Sequence, residues 1–145
     1  MRYHSPMRIV VDTNVFVAAV SSPDGASREV LRRCLLDRYE PLMGQALLAE
    51  YESVLARAEP FAASPIDESE RDALWAALAS RCQWVRVYYL WRPNLPDEAD
   101  NHIVELAVAG GAEVIATHNK RDFERAELHF PGLRVLNPSE LIAED

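Results

Sequence analysis

Short β-branched runs alternate with amphipathic helical stretches along almost the whole chain, and that alternation most constrains its fold. Residues 8–12 read as a buried strand that ends on the polar Asp12. A short helix follows over 15–20. Residues 25–37 carry Val30, Leu31, Cys34 and Leu35 at helical spacing, with Arg28, Arg32 and Arg33 beside that stripe. A second strand is expected at 39–43. A helix is expected over 45–57, with Leu47, Leu48, Tyr51, Val54 and Leu55 on one face. Residues 59–65 form a loop. Ser64 and Pro65 resemble a cap and first position for a helix running to Arg81. A strand at 84–89 and an extended loop at 92–96 come next. A helix opened by Asp97 or Asp100 then buries Ile103, Leu106 and Ala107, and Gly110-Gly111 stops it. Strands at 113–117 and 133–136 and a closing helix at 138–143 complete the reading.

Strands alternating with helices imply an α/β fold with a mostly parallel sheet covered on both faces. Such sheets place their sites in the crevice beyond the carboxyl ends of the strands. The length of 145 residues favours one domain, spanning 1–145 with a core over about 8–140. A chain of this size buries roughly 70% of its unfolded surface, so it needs no disulfide or structural metal. Cys34 and Cys82 lack partners at metal-ligand spacing and read as free thiols of a reducing compartment. The start carries charge without an apolar run behind it, and no stretch reaches a membrane span, so a cytoplasmic protein is expected. Met7 is an alternative start to Met1.

The net charge of −8 limits what the protein can bind. Residues 1–57 hold seven Arg and seven acids, whereas 58–145 hold eight basic and sixteen acidic residues. Nucleic-acid binders generally need Lys and Arg for phosphate, so this balance speaks against a large basic surface.

Certain acids fall where the fold places function. Asp12 follows the first strand, Asp97 and Asp100 precede a helix, and Asp122 comes five residues after Thr117 at the end of a strand. Taken singly, an Asp at a strand-to-helix turn is as well explained as a cap. Glu50 and Glu52 flank the apolar stripe of their helix on opposite sides, and periodicity does not choose between them.

Four blocks in order then resemble the PIN-domain nucleases, in their toxin-like subgroup: Ile9-Val10-Val11-Asp12-Thr13-Asn14-Val15-Phe16-Val17, the stretch from Leu47 to Arg57 around Glu50, Asp97-Glu98-Ala99-Asp100-Asn101-His102, and the stretch from Ala112 to Phe123. The resemblance covers about residues 8–140. It implies a PIN-like three-layer α/β/α sandwich, and it selects Glu50 over Glu52. It also implies a site of Asp12, Glu50, Asp100 and Asp122 that cleaves RNA, leaving a 5′-phosphate and a 3′-hydroxyl. Two positions depart from the family pattern. His118 stands where a small residue is usual, as an extra ligand, a proton carrier or neither, and Ala99 stands where many members have another acid.

Two carboxylates about 4 Å apart repel by about 4 kcal/mol at an effective dielectric near 20, so four converging acids call for a neutralising cation. Oxygen ligands, with no Cys or His completing a softer set, favour Mg²⁺ or Mn²⁺ over Zn²⁺. Asp12 and Asp100 are the expected principal ligands, with Glu50 and Asp122 completing the set. Thr13, Asn14, Thr117 and Asn119 are candidates to orient them, and Asp97 is a cap or an outer ligand. Arg28, Arg32, Arg33, Lys120 and Arg121 are the candidates for RNA phosphate. The resemblance further implies a small antitoxin protein as partner, a homodimer, and no membrane association. Three rivals remain: a PIN-fold protein that only binds RNA or protein, another metal-dependent phosphoryl hydrolase such as a haloacid dehalogenase-like phosphatase, and a dinucleotide-binding domain. Asn14 at the second place of an Asp-x-Asp opening counts against the phosphatase. The lack of a glycine-rich loop after the first strand counts against the dinucleotide domain.

Overall fold

The computed structural model describes residues 5–87 and 101–144. The expected loop at 92–96 and the acids Asp97 and Asp100 lie outside the described residues.

A five-stranded sheet has the order β3-β2-β1-β4-β5, and every described pairing is parallel. The strands are β1 (Met7–Val11), β2 (Tyr39–Met43), β3 (Gln83–Trp84), β4 (Val114–Ala116) and β5 (Arg134–Leu136). Ile9, Val10, Ile115 and Ala116 are fully buried, and successive strand residues point to opposite faces, so both faces are covered. Helix α5 (Asn101–Gly110) packs on β1, β2 and β4. Helix α2 (Ala26–Leu35) packs on β2 and against α1 (Thr13–Ser21), α4 (Glu68–Arg81) and α7 (Pro138–Ala143). The three-layer α/β/α architecture expected from the alternation is the one observed.

The chain builds outward from β1 through β2 to β3, then returns to β1's other side for β4 and β5. The order therefore reverses between β1 and β4. That is the switch point, where the loops beyond the strands diverge and leave a crevice.

Helix α3 (Gln45–Leu55) buries Leu47, Tyr51 and Val54. Tyr51 stacks on Trp75 of α4 with ring centroids 4.5 Å apart, and Phe16 of α1 meets both rings edge-on. Each such aromatic pair adds roughly 0.5–1.5 kcal/mol beyond the area it buries. The Tyr51 hydroxyl donates to the Val11 carbonyl at 2.8 Å, which locks α3 to the end of β1.

Several local expectations change. Of the strand expected at 84–89, the described residues hold β3 over Gln83–Trp84 with 85–87 irregular, and 88–89 lie outside them. A 3-10 turn at Glu59–Phe61 interrupts the loop at 59–65. A further 3-10 turn at Lys120–Phe123 and the short helix α6 (Glu124–His129) fill a stretch for which no element was expected. Gly111 has φ +70, a left-handed backbone that glycine adopts freely, and it stops α5 as expected.

Ser64 is not the cap of α4. Its hydroxyl donates to the Val20 carbonyl at 3.1 Å, and the helix begins three residues past Pro65. Asp67 caps it, accepting from the Glu70 amide at 2.8 Å while the Glu70 carboxylate accepts from the Asp67 amide. Asp67→Ala should therefore lower stability by about 0.5–2 kcal/mol in urea unfolding. A change within the measurement error would show that another group satisfies these amides.

Candidate active site

The register Val11↔Ala116 sets the ends of β1 and β4 side by side, so Asp12 and Thr117 leave the sheet as neighbours. Asp12 is 5% exposed and Thr117 fully buried. Asp12 occupies the cap position of α1, yet its side chain makes no cap hydrogen bond. The carboxylate turns to the β1/β4 crevice instead. Its Oδ2 accepts from Thr117 Oγ1 at 2.8 Å and from Asn14 Nδ2 at 3.3 Å. Thr117 Oγ1 also accepts from Asn14 Nδ2 at 3.2 Å and from the Asn119 amide at 3.1 Å. A hydroxyl has one hydrogen and two lone pairs, and here all three are used. The Asn14 carbonyl oxygen accepts from the His118 amide at 3.1 Å, which fixes the loop after β4.

A second carboxylate arrives from α3. Because Tyr51 points into the core, Glu50 emerges beside β1, while Glu52 faces solvent. Glu50 Oε1 accepts from Thr13 Oγ1 at 3.3 Å, and Oε2 pairs with His102 Nε2 of α5 at 2.6 Å. Sequence reasoning gave His102 no role, because its partner lies 52 residues away. His102 bonds Glu50 itself, so it stands behind the carboxylate rather than among the oxygen donors.

The electrostatics follow from burial. Loss of water raises the pKa of Asp12 above 3.8; the Thr117 hydrogen bond opposes this, and the charge of Glu50 adds to it. The Thr13 amide and His102 favour the ionised form more weakly. Burial and the charge of Asp12 hold Tyr51 far above its ordinary pKa, so it remains a hydroxyl donor. Two carboxylates thus lie near a partly buried crevice, and the charge of Glu50 acts on Asp12. Such a pair of hard oxygen donors suits a divalent cation.

Asp122 sits half-buried in the 3-10 turn after β4, its amide donating to the Asn119 carbonyl at 3.0 Å. Among the described residues no three His, Cys, Asp or Glu side chains gather closely enough to hold a metal. The structure therefore places Glu50 near enough to Asp12 for its charge to act on it, with Thr13, Asn14 and Thr117 bonded to the two carboxylates, and among the described residues no hydrogen bond joins Asp122 to them. Asn119 contributes its backbone amide.

The basic candidates are largely engaged elsewhere. Arg28 donates to the Ala19 carbonyl at 3.3 Å and ties α2 to α1. Arg32 and Arg33 both pair with Glu29, and Arg33 also reaches the Tyr39 hydroxyl and the Ile142 carbonyl. Lys120 pairs with Glu140 at 3.0 Å. Arg121 is exposed. The His118 ring bonds Ser27 Oγ at 2.8 Å, joining the loop after β4 to the start of α2. Cys34 and Cys82 are free thiols, with the pKa of Cys82 pushed up to about 12 and that of Cys34 raised further by burial. No described helix is long and apolar enough to cross a membrane.

Comparison with known proteins places this geometry in context. A family model described as PIN domain matches residues 8–121. No curated protein sequence matches. Among solved structures, a chain in the crystal structure of VapBC2 from Rickettsia felis, bound to a DNA fragment from their promoter, aligns with a TM-score of 0.59 at 16% identity. The alignment covers 90% of this chain and 98% of that one, and it shows a shared fold.

The raised pKa of Asp12 has a consequence for stability. A carboxylate that binds its proton more tightly when folded stabilises the fold fully below its unfolded pKa, and that contribution is lost as pH rises through the folded pKa. In chelator-treated protein, Asp12→Asn should therefore raise the unfolding midpoint at pH 7. The advantage should shrink as pH falls towards 3.8, the ordinary value. A variant less stable than wild type at pH 7 would show that the hydrogen bonds to the carboxylate outweigh its burial.

Proposed function

We propose, from the premise that this chain belongs to the PIN-domain family, that it is a metal-dependent endoribonuclease. One observation carries the reading. A buried Asp12 at the switch point lies within electrostatic reach of Glu50, and both carboxylates are held by hydrogen bonds from neighbouring side chains.

Asp12 and Glu50 would hold the cation, and Asp100 and Asp122 are proposed to complete its ligands. The donors present are oxygens, which suits Mg²⁺ or Mn²⁺. When bound, such an ion supplies an acidified water and stabilises charge on the phosphate and the leaving oxygen. The protein's own part is orientation. Thr117 and Asn14 hold Asp12 in one rotamer, and Thr13 holds one oxygen of Glu50. Arg121 is exposed beside this loop and is the proposed contact for a flanking phosphate. Arg28, Arg32, Arg33 and Lys120 would have to leave their present partners to serve in the same way.

The toxin role is a further part of the proposal. The fold shared with a chain of VapBC2 supports a protein of the toxin–antitoxin kind. A small antitoxin, a homodimeric state and a cytoplasmic setting belong to that reading. A PIN-fold module that binds RNA or protein without cleaving is the second reading. It is favoured by the lack, among the described residues, of any three acid, His or Cys side chains gathered closely enough to hold a metal.

Asp12→Asn and Asp100→Asn should each abolish Mg²⁺- or Mn²⁺-dependent RNA cleavage while circular dichroism stays unchanged. Undiminished cleavage by both folded variants would overturn the site. A wild type that cleaves nothing with either ion, across structured and single-stranded RNAs, would transfer the reading to the binding module.

A further inference from the structure

Glu50 carries three rotatable bonds, and its side chain is 33% exposed, so burial alone does not fix its carboxylate. Two donors do. Thr13 Oγ1 holds Oε1 at 3.3 Å, and His102 Nε2 holds Oε2 at 2.6 Å. The second bond is the shorter of the two. An ionised carboxylate only accepts, so Nε2 carries the hydrogen, and Nδ1 is then an acceptor in a neutral ring and a second donor in a charged one. Nδ1 is buried and has no hydrogen-bond partner among the described residues. An unsatisfied buried polar atom is a cost to folding in either state, and a leucine would fill the same place without it. Packing therefore does not explain a histidine at this position, whereas the bond to Glu50 does.

We infer that His102 is a positioning residue for Glu50. It stands in the first turn of α5, which packs against α3, and its Nε2–H fixes the carboxylate opposite the oxygen held by Thr13. With both oxygens engaged, Glu50 presents its remaining lone pairs in one orientation rather than sweeping through solvent. The inference rests on the reading of Glu50 as a metal ligand. Partners of this kind, one bond removed from a metal, typically change affinity 10–100-fold when removed.

The test is Mn²⁺ binding to the full chain, measured by calorimetry and by the electron-paramagnetic signal of free Mn²⁺. His102→Leu removes the donor and keeps the bulk, and should weaken Mn²⁺ binding about 10–100-fold with circular dichroism unchanged. His102→Gln returns an amide N–H near the place of Nε2 and should recover most of that loss. Glu50→Gln should weaken binding at least as much. Adding His102→Leu to Glu50→Gln should then cost nothing more, because the histidine acts through Glu50. If His102→Leu does not fold, His102→Asn, polar but too short to reach Glu50, takes its place with the same expectation.

Three results would overturn the inference. Equal losses in the Leu and Gln variants would assign the effect to the ring rather than to its donor. Wild-type affinity in His102→Leu alongside a loss in Glu50→Gln would remove His102 and leave the metal site standing. Wild-type affinity in Glu50→Gln would remove the metal reading of Glu50 itself.

Discussion

A carboxylate withdrawn from water at the end of the central strand is the constraint on which this site depends. Burying an ionised group without compensation is costly, and Asp12 is compensated mainly by a hydroxyl from the neighbouring strand. That hydroxyl arrives only because β1 and β4 pair with Val11 opposite Ala116. A slip of one residue would turn Thr117 to the other face of the sheet. The register of the core strands and the chemistry of the site are therefore one specification. Ile9, Val10 and Val11 of β1 and Val114, Ile115 and Ala116 of β4, all buried, maintain the register, and Asp12 and Thr117 stand where the oily run stops.

The second carboxylate depends on a different kind of packing. Helix α3 can rotate about its axis until something fixes it, and Tyr51 does so twice. Its ring stacks on Trp75, and its hydroxyl reaches the carbonyl of Val11, the residue before Asp12. The residue before Tyr51 then faces the crevice, and the residue after it faces water. Thus an aromatic contact among α1, α3 and α4 settles which glutamate meets Asp12. His102 and Thr13 complete the placement from α5 and α1.

This division explains what the sequence revealed. Strand β2 and helix α7 could be read to the residue, since periodicity and turn chemistry agree there. Asp12 was legible as a strand-end acid, and the three-layer fold as an alternation. Glu50 was separable from Glu52 by resemblance alone, because the rotation of α3 is set by a bond from Tyr51 to a carbonyl 40 residues away. Ser64 and Asp67 are both sound caps locally; Ser64 donates to the Val20 carbonyl and accepts from the Ile66 amide, and the helix begins only after Asp67, which takes the Glu70 amide. Helix α6 has six residues, too few for a helical stripe to show. His102 was hidden because a histidine before an apolar helical face carries no mark of a carboxylate on another helix. Asp97 and Asp100 rest on their sequence context.

Asn14 separates the nuclease reading from other phosphoryl chemistry. Asp-x-Asp phosphatases need a second carboxylate two residues after the first. Here that position does something a carboxylate cannot do. Its amide nitrogen donates to Asp12 and to Thr117, while its carbonyl oxygen accepts from the His118 amide. An aspartate could take the last bond but would lose both donations and place a second negative charge beside an already buried one. The dinucleotide rival fails at the same turn, for α1 begins at Thr13 directly after Asp12 and leaves no loop to cradle a pyrophosphate. The strand end is thus built around one acid supported by an amide and a hydroxyl. The second carboxylate, Glu50, reaches the same strand end from α3 through Thr13.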